Sequence, residues 1–259
     1  MNIRFAEKVV IITGAAGDIG SAAVKRFASE GAAVVAVDMN ETALQSLVAA
    51  CESQGHSIIS VVADVTQEDG VKRYVETAVN AHGSIDVLFN NAGIEGDCCC
   101  ISEYDTAIFD RVMAVNVKAA FLGMKHVVPI MQGHGGGSII NAASVAGLSG
   151  APGFSAYTAS KHAVIGLTRS VAKQQGIHNI RVNAVCPSAV DGNMMNAVEQ
   201  KMQPDSEDTQ ELRKALQATV PLQRYAKPSD VVSIVAYLSS DEASFINGGV
   251  YTVDGGVTA

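Results

Sequence analysis

Two spacings of apolar residues alternate along the chain. Short runs that are apolar at nearly every position give way to longer stretches with apolar residues every three to four positions. The first run, KVVIIT at 8–13, is β-branched and continuous, as expected of a strand buried on both faces of a parallel sheet. Similar runs stand at 33–38, 57–64, 87–90, 138–142, 180–186 and 250–253. Helical spacing begins at Ile19 (with Ala22, Ala23 and Phe27) and is predicted over 41–54, 67–82, 105–131, 156–175 and 228–239. Strands alternating with helices predict an α/β fold. Its sheet is expected to be doubly wound, mainly parallel and seven-stranded, with helices on both faces and right-handed crossovers. One long break, 190–219, is polar and charged, with weak helical spacing from Glu207 to Gln217. Beside the strand C-termini such an insertion is expected to be a substrate lid. The length of 259 residues suits a single domain over 1–259, without internal repeats or low-complexity linkers.

The turn after the first run reads Thr13-Gly14-Ala15-Ala16-Gly17-Asp18-Ile19-Gly20. Placed between a buried strand and a helix, its backbone N–H groups and the helix N-terminus suit a pyrophosphate. An ordinary tight turn is the other reading. The second run ends on Asp38, 18 residues after Gly20, near the distance at which a carboxylate meets the ribose hydroxyls of a dinucleotide in a Rossmann-type fold. Ala15, Ala16 and Met39 offer no cation to a 2′-phosphate, so NAD is expected over NADP. Asp38 could equally cap the helix opened by Asn40 and Glu41.

In Ser155-Ala-Tyr157-Thr-Ala-Ser-Lys161 the phenol and the ammonium stand four apart on a helix whose stripe is Val164, Leu167, Thr168 and Val171. A cation beside a phenol favours the phenolate, which is expected to lower the Tyr157 pKa. A solvated surface pair is the alternative. The formal charge of −8 argues against nucleic acid or an anionic membrane as a partner. No apolar run reaches membrane-spanning length, the N-terminus shows no signal-peptide core, and the five cysteines are odd in number. A reducing, cytoplasmic setting is the expectation. Cys98, Cys99 and Cys100 are adjacent, so their side chains diverge, and no companion histidine pair stands nearby. No metal is expected there, and the loop is expected to border the substrate cleft. His162 points about 100° away from Lys161, so a catalytic role is not expected. Cys186 reads as a small buried hydrophobe.

Together these residues resemble the short-chain dehydrogenase/reductase superfamily in its short single-domain branch. The matching pieces are the turn from Thr13 to Gly20, Asp64, Asn90-Asn91-Ala92-Gly93, Asn116, Ser144, Tyr157-x-x-x-Lys161, Asn183, Pro187 and Asp254-Gly255-Gly256. The resemblance implies hydride transfer between a nicotinamide cofactor and a carbonyl or alcohol carbon. Tyr157 would be the general acid/base, and Lys161 would hold the nicotinamide ribose. Ser144 would bind the substrate oxygen, and Asn116 would hold a water that relays protons. Gly14, Gly17, Asp18, Ile19, Gly20, Asp38, Asp64, Val65, Asn91, Ala92, Gly93, Tyr157, Lys161, Pro187 and Val190 would line the cofactor site. A homotetramer is implied as well.

The chain departs from the family pattern twice. The loop normally reads Thr-Gly-x-x-x-Gly-x-Gly, and Asp18 stands where the second glycine belongs. As written it fits the form common in the longer epimerase/dehydratase branch. Asp18 is expected to cap the helix beginning at Ile19, and its charge to weaken cofactor affinity. After the sixth strand the usual Pro-Gly-x-x-x-Thr reads Pro187-Ser188-Ala189-Val190-Asp191-Gly192. The leading expectation is an NAD-dependent oxidoreductase of a small-molecule secondary alcohol or ketone. The alternatives are a 3-oxoacyl-(acyl-carrier-protein) reductase, an epimerase/dehydratase and a non-catalytic NAD-binding sensor. The expected pocket runs over 95–100 and 145–154 and under the lid, with Glu95 read as an exposed loop residue.

Overall fold

The seven apolar runs form one sheet. The computed structural model describes residues 3–206 and 208–259. Its strands are β1 (Val9–Thr13), β2 (Ala33–Asp38), β3 (Ile58–Val62), β4 (Val87–Asn90), β5 (Gly137–Ala142), β6 (Ile180–Pro187) and β7 (Val250–Val253). They lie in the order β3-β2-β1-β4-β5-β6-β7, with every neighbouring pair parallel. The helices are α1 (Asp18–Ser29), α2 (Glu41–Glu52), α3 (Glu68–His82), α4 (Thr106–Met113), α5 (Ala119–Gly133), α6 (Ser155–Gln175), α7 (Asn193–Met202), α8 (Gln210–Ala218) and α9 (Pro228–Ser239).

Successive strand side chains point to opposite faces, so each continuous apolar run feeds two cores. Val10, Ile12, Val34 and Ala36 meet Phe27 of α1, Leu44 of α2 and Val235 of α9. Val9, Ile11, Val35 and Val37 meet Tyr74 of α3 and Leu122 and Val127 of α5. Each such aliphatic side chain, once fully buried, contributes roughly 1.5–3 kcal/mol. No helix among the described residues is long and apolar enough to cross a membrane.

The strand order reverses between β1 and β4, and ligands of such sheets bind in the crevice beyond that switch point. Here the crevice floor is stitched. The Thr13 hydroxyl accepts from the backbone N–H of Asn91 at 3.0 Å and of Ala92 at 3.2 Å. Asn91 Nδ2 donates to the carbonyls of Thr13 at 3.0 Å and Gly14 at 3.1 Å.

Two segments differ from their sequence reading. The helix expected over 105–131 is α4 and α5 joined by a π-helical turn, Ala114–Lys118. In the segment 190–219, α8 falls where weak helicity is expected (Glu207 lies outside the described residues), and α7 precedes it unforeseen.

Candidate active site

The glycine loop leaves β1 at Gly14, whose φ of +62° and contact with the Ala92 backbone exclude a side chain. At Gly20 a Cβ would overlap the Gly14 carbonyl, so α1 can approach the loop closely only as glycine. Asp38 ends β2, and its carboxylate accepts from the Ala16 N–H and the Asn40 N–H, both at 3.0 Å. It does not cap α2; Asn40 does, accepting from Ala43 at 3.1 Å. Asp18 does not cap α1 either. Gly17 holds the N-cap position, and the Asp18 carboxylate turns outward to Asn193.

A cavity of about 620 Å³ opens along the C-terminal ends of the strands. Gly14, Gly17, Asp18, Ile19, Asp38, Asn91, Ala92 and Gly93 line one part, and Ser144, Tyr157, Lys161, Pro187 and Val190 another. The remainder is mostly apolar, with Val145, Ala146, Ala151, Phe154, Met194, Met195, Val198 and Leu216. Four residues expected at the cofactor site or in catalysis do not line this cavity. Gly20 lies beneath it, Val65 is in the core, and Asn116 is 3% exposed behind Gly93. The exposed Asp64 carboxylate accepts from the backbone N–H and hydroxyl of Thr66, at 2.9 and 2.7 Å.

β5 and α6 deliver the reactive groups. Lys161, 4% exposed, donates from Nζ to the Ala142 carbonyl at 2.8 Å. Its Nζ is 5.4 Å from the Tyr157 ring centroid. Ser144 follows β5, accepts from the Ala146 N–H at 3.2 Å and donates to the Pro187 carbonyl at 3.4 Å. Burial draws the Lys161 ammonium down to about 8. It pushes the half-buried Tyr157 phenol up to about 12, with the neighbouring Ser144 hydroxyl acting in the opposite direction. The expected lowering of the Tyr157 pKa by Lys161 therefore does not prevail. Desolvation outweighs it, and the ammonium is engaged with a carbonyl.

Asn116 sits in the π-helical turn, and π-turns concentrate at functional sites. Its Oδ1 accepts from the Ile94 N–H at 2.8 Å, and its Nδ2 donates to the Ile94 carbonyl and the Ser160 hydroxyl, both at 2.9 Å. One amide proton thus braces the loop after β4, and the other reaches α6. The Ser160 hydroxyl in turn donates to the Tyr157 carbonyl one turn earlier in α6, at 2.7 Å. Nothing in the sequence separates Ser160 from any other helical serine.

Glu95 is no exposed loop residue. It lines the cavity and pairs with Lys201 of α7 at 2.6 Å. Cys98, Cys99 and Cys100 do not line the cavity; Cys99 N–H bonds the Gly153 carbonyl at 3.1 Å, and Cys98 lies against Gly153. Cys186 is fully buried beside Val164 and Ala184, and His162 is exposed.

The cavity suits an extended nucleotide. A side-chain-free loop faces a carboxylate at the end of β2, and hydroxyl, phenol and ammonium donors stand together after β5. A protein-family model described as enoyl-(acyl carrier protein) reductase matches residues 14–258. Levodione reductase of Leifsonia aquatica is 37% identical over 261 residues, covering 99% of this chain and 96% of that protein. A 3-oxoacyl-[acyl-carrier-protein] reductase of Thermotoga maritima is 39% identical over 255 residues, covering 98% and 99%. The crystal structure of an NAD+-bound xylitol dehydrogenase matches with a TM-score of 0.91 at 37% identity, over 96% of this chain and 98% of that one.

Proposed function

Because the chain belongs to the short-chain dehydrogenase/reductase superfamily, we propose that it is an NAD-dependent oxidoreductase interconverting a secondary alcohol and a ketone. The observation that carries this reading is the grouping of Ser144, Tyr157 and Lys161 at one cavity, with Asp38 on the same wall as the glycine loop. A bound nicotinamide supplies or accepts the hydride. The chain's own residues bind, orient and move the proton. Gly14 and Gly17 leave room for a pyrophosphate, and Asp38 repels a 2′-phosphate while accepting from ribose hydroxyls. Lys161 holds the second ribose and brings positive charge to the Tyr157 side of the cavity. Tyr157, whose burial favours the protonated phenol, gives its proton to a carbonyl oxygen as that oxygen becomes an alkoxide. Ser144 donates to the same oxygen, an interaction that strengthens as charge develops. Oxidation of an alcohol runs the same transfers in reverse.

The wall formed by Val145, Phe154, Met194, Met195 and Val198 favours a substrate with an apolar carbon skeleton. That preference agrees with the levodione reductase relative more than with a polyol. The 39% identity to a 3-oxoacyl-[acyl-carrier-protein] reductase keeps a thioester substrate as the second reading. Association into a homotetramer through α4, α5 and α6 belongs to the same proposal, supported by half-exposed Phe109 and Phe121 on those helices. The test is absorbance at 340 nm with NAD and NADP separately, over cyclic diketones and diols, sugar alcohols and 3-hydroxyacyl thioesters. Tyr157→Phe is expected to lose about 10²–10⁴-fold in turnover, with NAD binding retained in calorimetry. Turnover kept in that variant refutes the assigned proton transfer.

A further inference from the structure

Two of the positions where this chain leaves the family pattern, Asp18 in the glycine loop and Gly192 after β6, lie against each other. Asp18 Oδ2 accepts from the backbone N–H of Asn193 at 2.7 Å, and Oδ1 accepts from Asn193 Nδ2 at 3.3 Å. Asn193 is the first residue of α7. A helix leaves its first N–H groups without partners of its own, and a carboxylate is the strongest neutraliser of that end. Here the cap comes from another element, 175 residues away in the chain. Gly192 occupies the N-cap position and has no side chain to offer. A Cβ at 192 would overlap the Asp18 carboxylate, so the glycine gives it room. A glycine at 18, in turn, would leave the end of α7 uncapped. Asp18 and Gly192 thus belong to one contact.

Elsewhere α7 is fastened to its surroundings. The buried Glu199 accepts from Arg213 of α8 at 3.0 Å and from the Tyr225 hydroxyl at 2.8 Å, and Lys201 donates to Glu95 at 2.6 Å. Met194, Met195 and Val198 of α7 face the cavity. Among the described residues, the segment 190–219 hydrogen-bonds to the glycine loop only through Asp18.

We propose that Asp18 is a positioning residue whose carboxylate clasps α7 to the glycine loop, holding Met194, Met195 and Val198 over the cavity before any ligand binds. The clasp fixes where the apolar wall stands relative to the cofactor groove. The competing account gives Asp18 only a repulsive charge beside the dinucleotide.

The decisive measurement is hydrogen–deuterium exchange of peptides from α7, with trypsin cleavage after Lys201 and Arg213, in the full-length nucleotide-free protein. Exchange in peptides of β1 and β5 serves as the folding control. Asp18→Gly is expected to speed α7 exchange by about tenfold or more, the loss of a charge-assisted bond. Asp18→Asn keeps an acceptor for the Asn193 N–H and is expected to stay within about threefold of the parent. Gly192→Ala, which sets a Cβ against the Asp18 carboxylate and offers no cap of its own, is expected to loosen α7 as Asp18→Gly does. Combining the two should loosen it no further, since both break one contact. Unchanged α7 exchange in Asp18→Gly, or strictly additive effects in the pair, overturns the clasp. So does equal loosening by Asn and Gly at 18. Should Asp18→Gly fail the folding control, Gly192→Ala alone carries the same expectation. Calorimetry with NAD closes the comparison: equal tightening by Asp18→Asn and Asp18→Gly, with α7 exchange unchanged in both, assigns Asp18 to charge repulsion and overturns the proposal.

Discussion

Replacing Lys161 with methionine should stabilise the ligand-free protein while ending its turnover. Lys161 is 4% exposed, and Nζ has one hydrogen bond, to the Ala142 carbonyl at 2.8 Å. Burial draws its pKa from 10.5 to about 8, a differential cost of about 3 kcal/mol for holding the charged form in the fold. The folded value lies below the unfolded one. Between pH 8 and 10.5 the unfolded chain therefore binds the extra proton, and the parent gains stability as pH rises through that window. At pH 7 the full penalty is present. Methionine matches the length and removes the charge, but leaves the Ala142 carbonyl without that donor, at a cost of about 1 kcal/mol. The variant should then be about 2 kcal/mol more stable than the parent at pH 7. By pH 9.5 the gap should close by about 2 kcal/mol, because the parent has shed most of its penalty. Urea unfolding of both proteins at the two pH values measures the gap. Groups that titrate alike in both cancel. A variant less stable than the parent at pH 7, or a gap that stays flat or widens toward pH 9.5, refutes the reasoning.

Gly20→Ala places a Cβ onto the Gly14 carbonyl, so NAD affinity by calorimetry should fall by at least about tenfold and the melting temperature by several degrees. Asp38→Asn removes the charge but keeps one acceptor toward the loop, and the NADP-to-NAD ratio of kcat/KM should rise about tenfold or more. Asn116→Ala strands the Ile94 N–H and frees the Ser160 hydroxyl. Urea unfolding should show a loss of about 2–4 kcal/mol, and turnover should fall because the loop at Gly93, beside Lys161, loses its brace.

The sheet was legible because its signal is local and redundant. The β-branched runs at β1 and β2 cannot be exposed on either face, and the alternation with helices leaves a parallel sheet as the natural way to connect them. The cavity residues after β1, β4 and β5 were legible for a related reason, since motif and strand end coincide in the chain. What escaped depends on partners distant in sequence. α7 has no local cap, and the residue that supplies one belongs to the glycine loop. Glu95 reads as an exposed loop acid until Lys201, 106 residues later, folds over it. The π-turn at Asn116 carries no propensity signal of its own. It is set by the three bonds that hold the amide between the β4 loop and α6. The Tyr157–Lys161 pair was found, yet its electrostatics came out reversed, because spacing on a helix shows proximity and not desolvation.

Thr13 and Gly14 take their partners from Asn91 and Ala92, 77 to 79 residues downstream. During synthesis the nucleotide cradle thus stays unfinished until the fourth strand has left the ribosome and docked beside the first. A nascent chain shorter than that presents a bare loop without its Asn91 and Ala92 partners, so a nicotinamide cofactor would draw folding forward only late, as a seal on an assembled crevice rather than a seed for it. Truncated chains ending before Val87 should accordingly gain no protease resistance from added NAD.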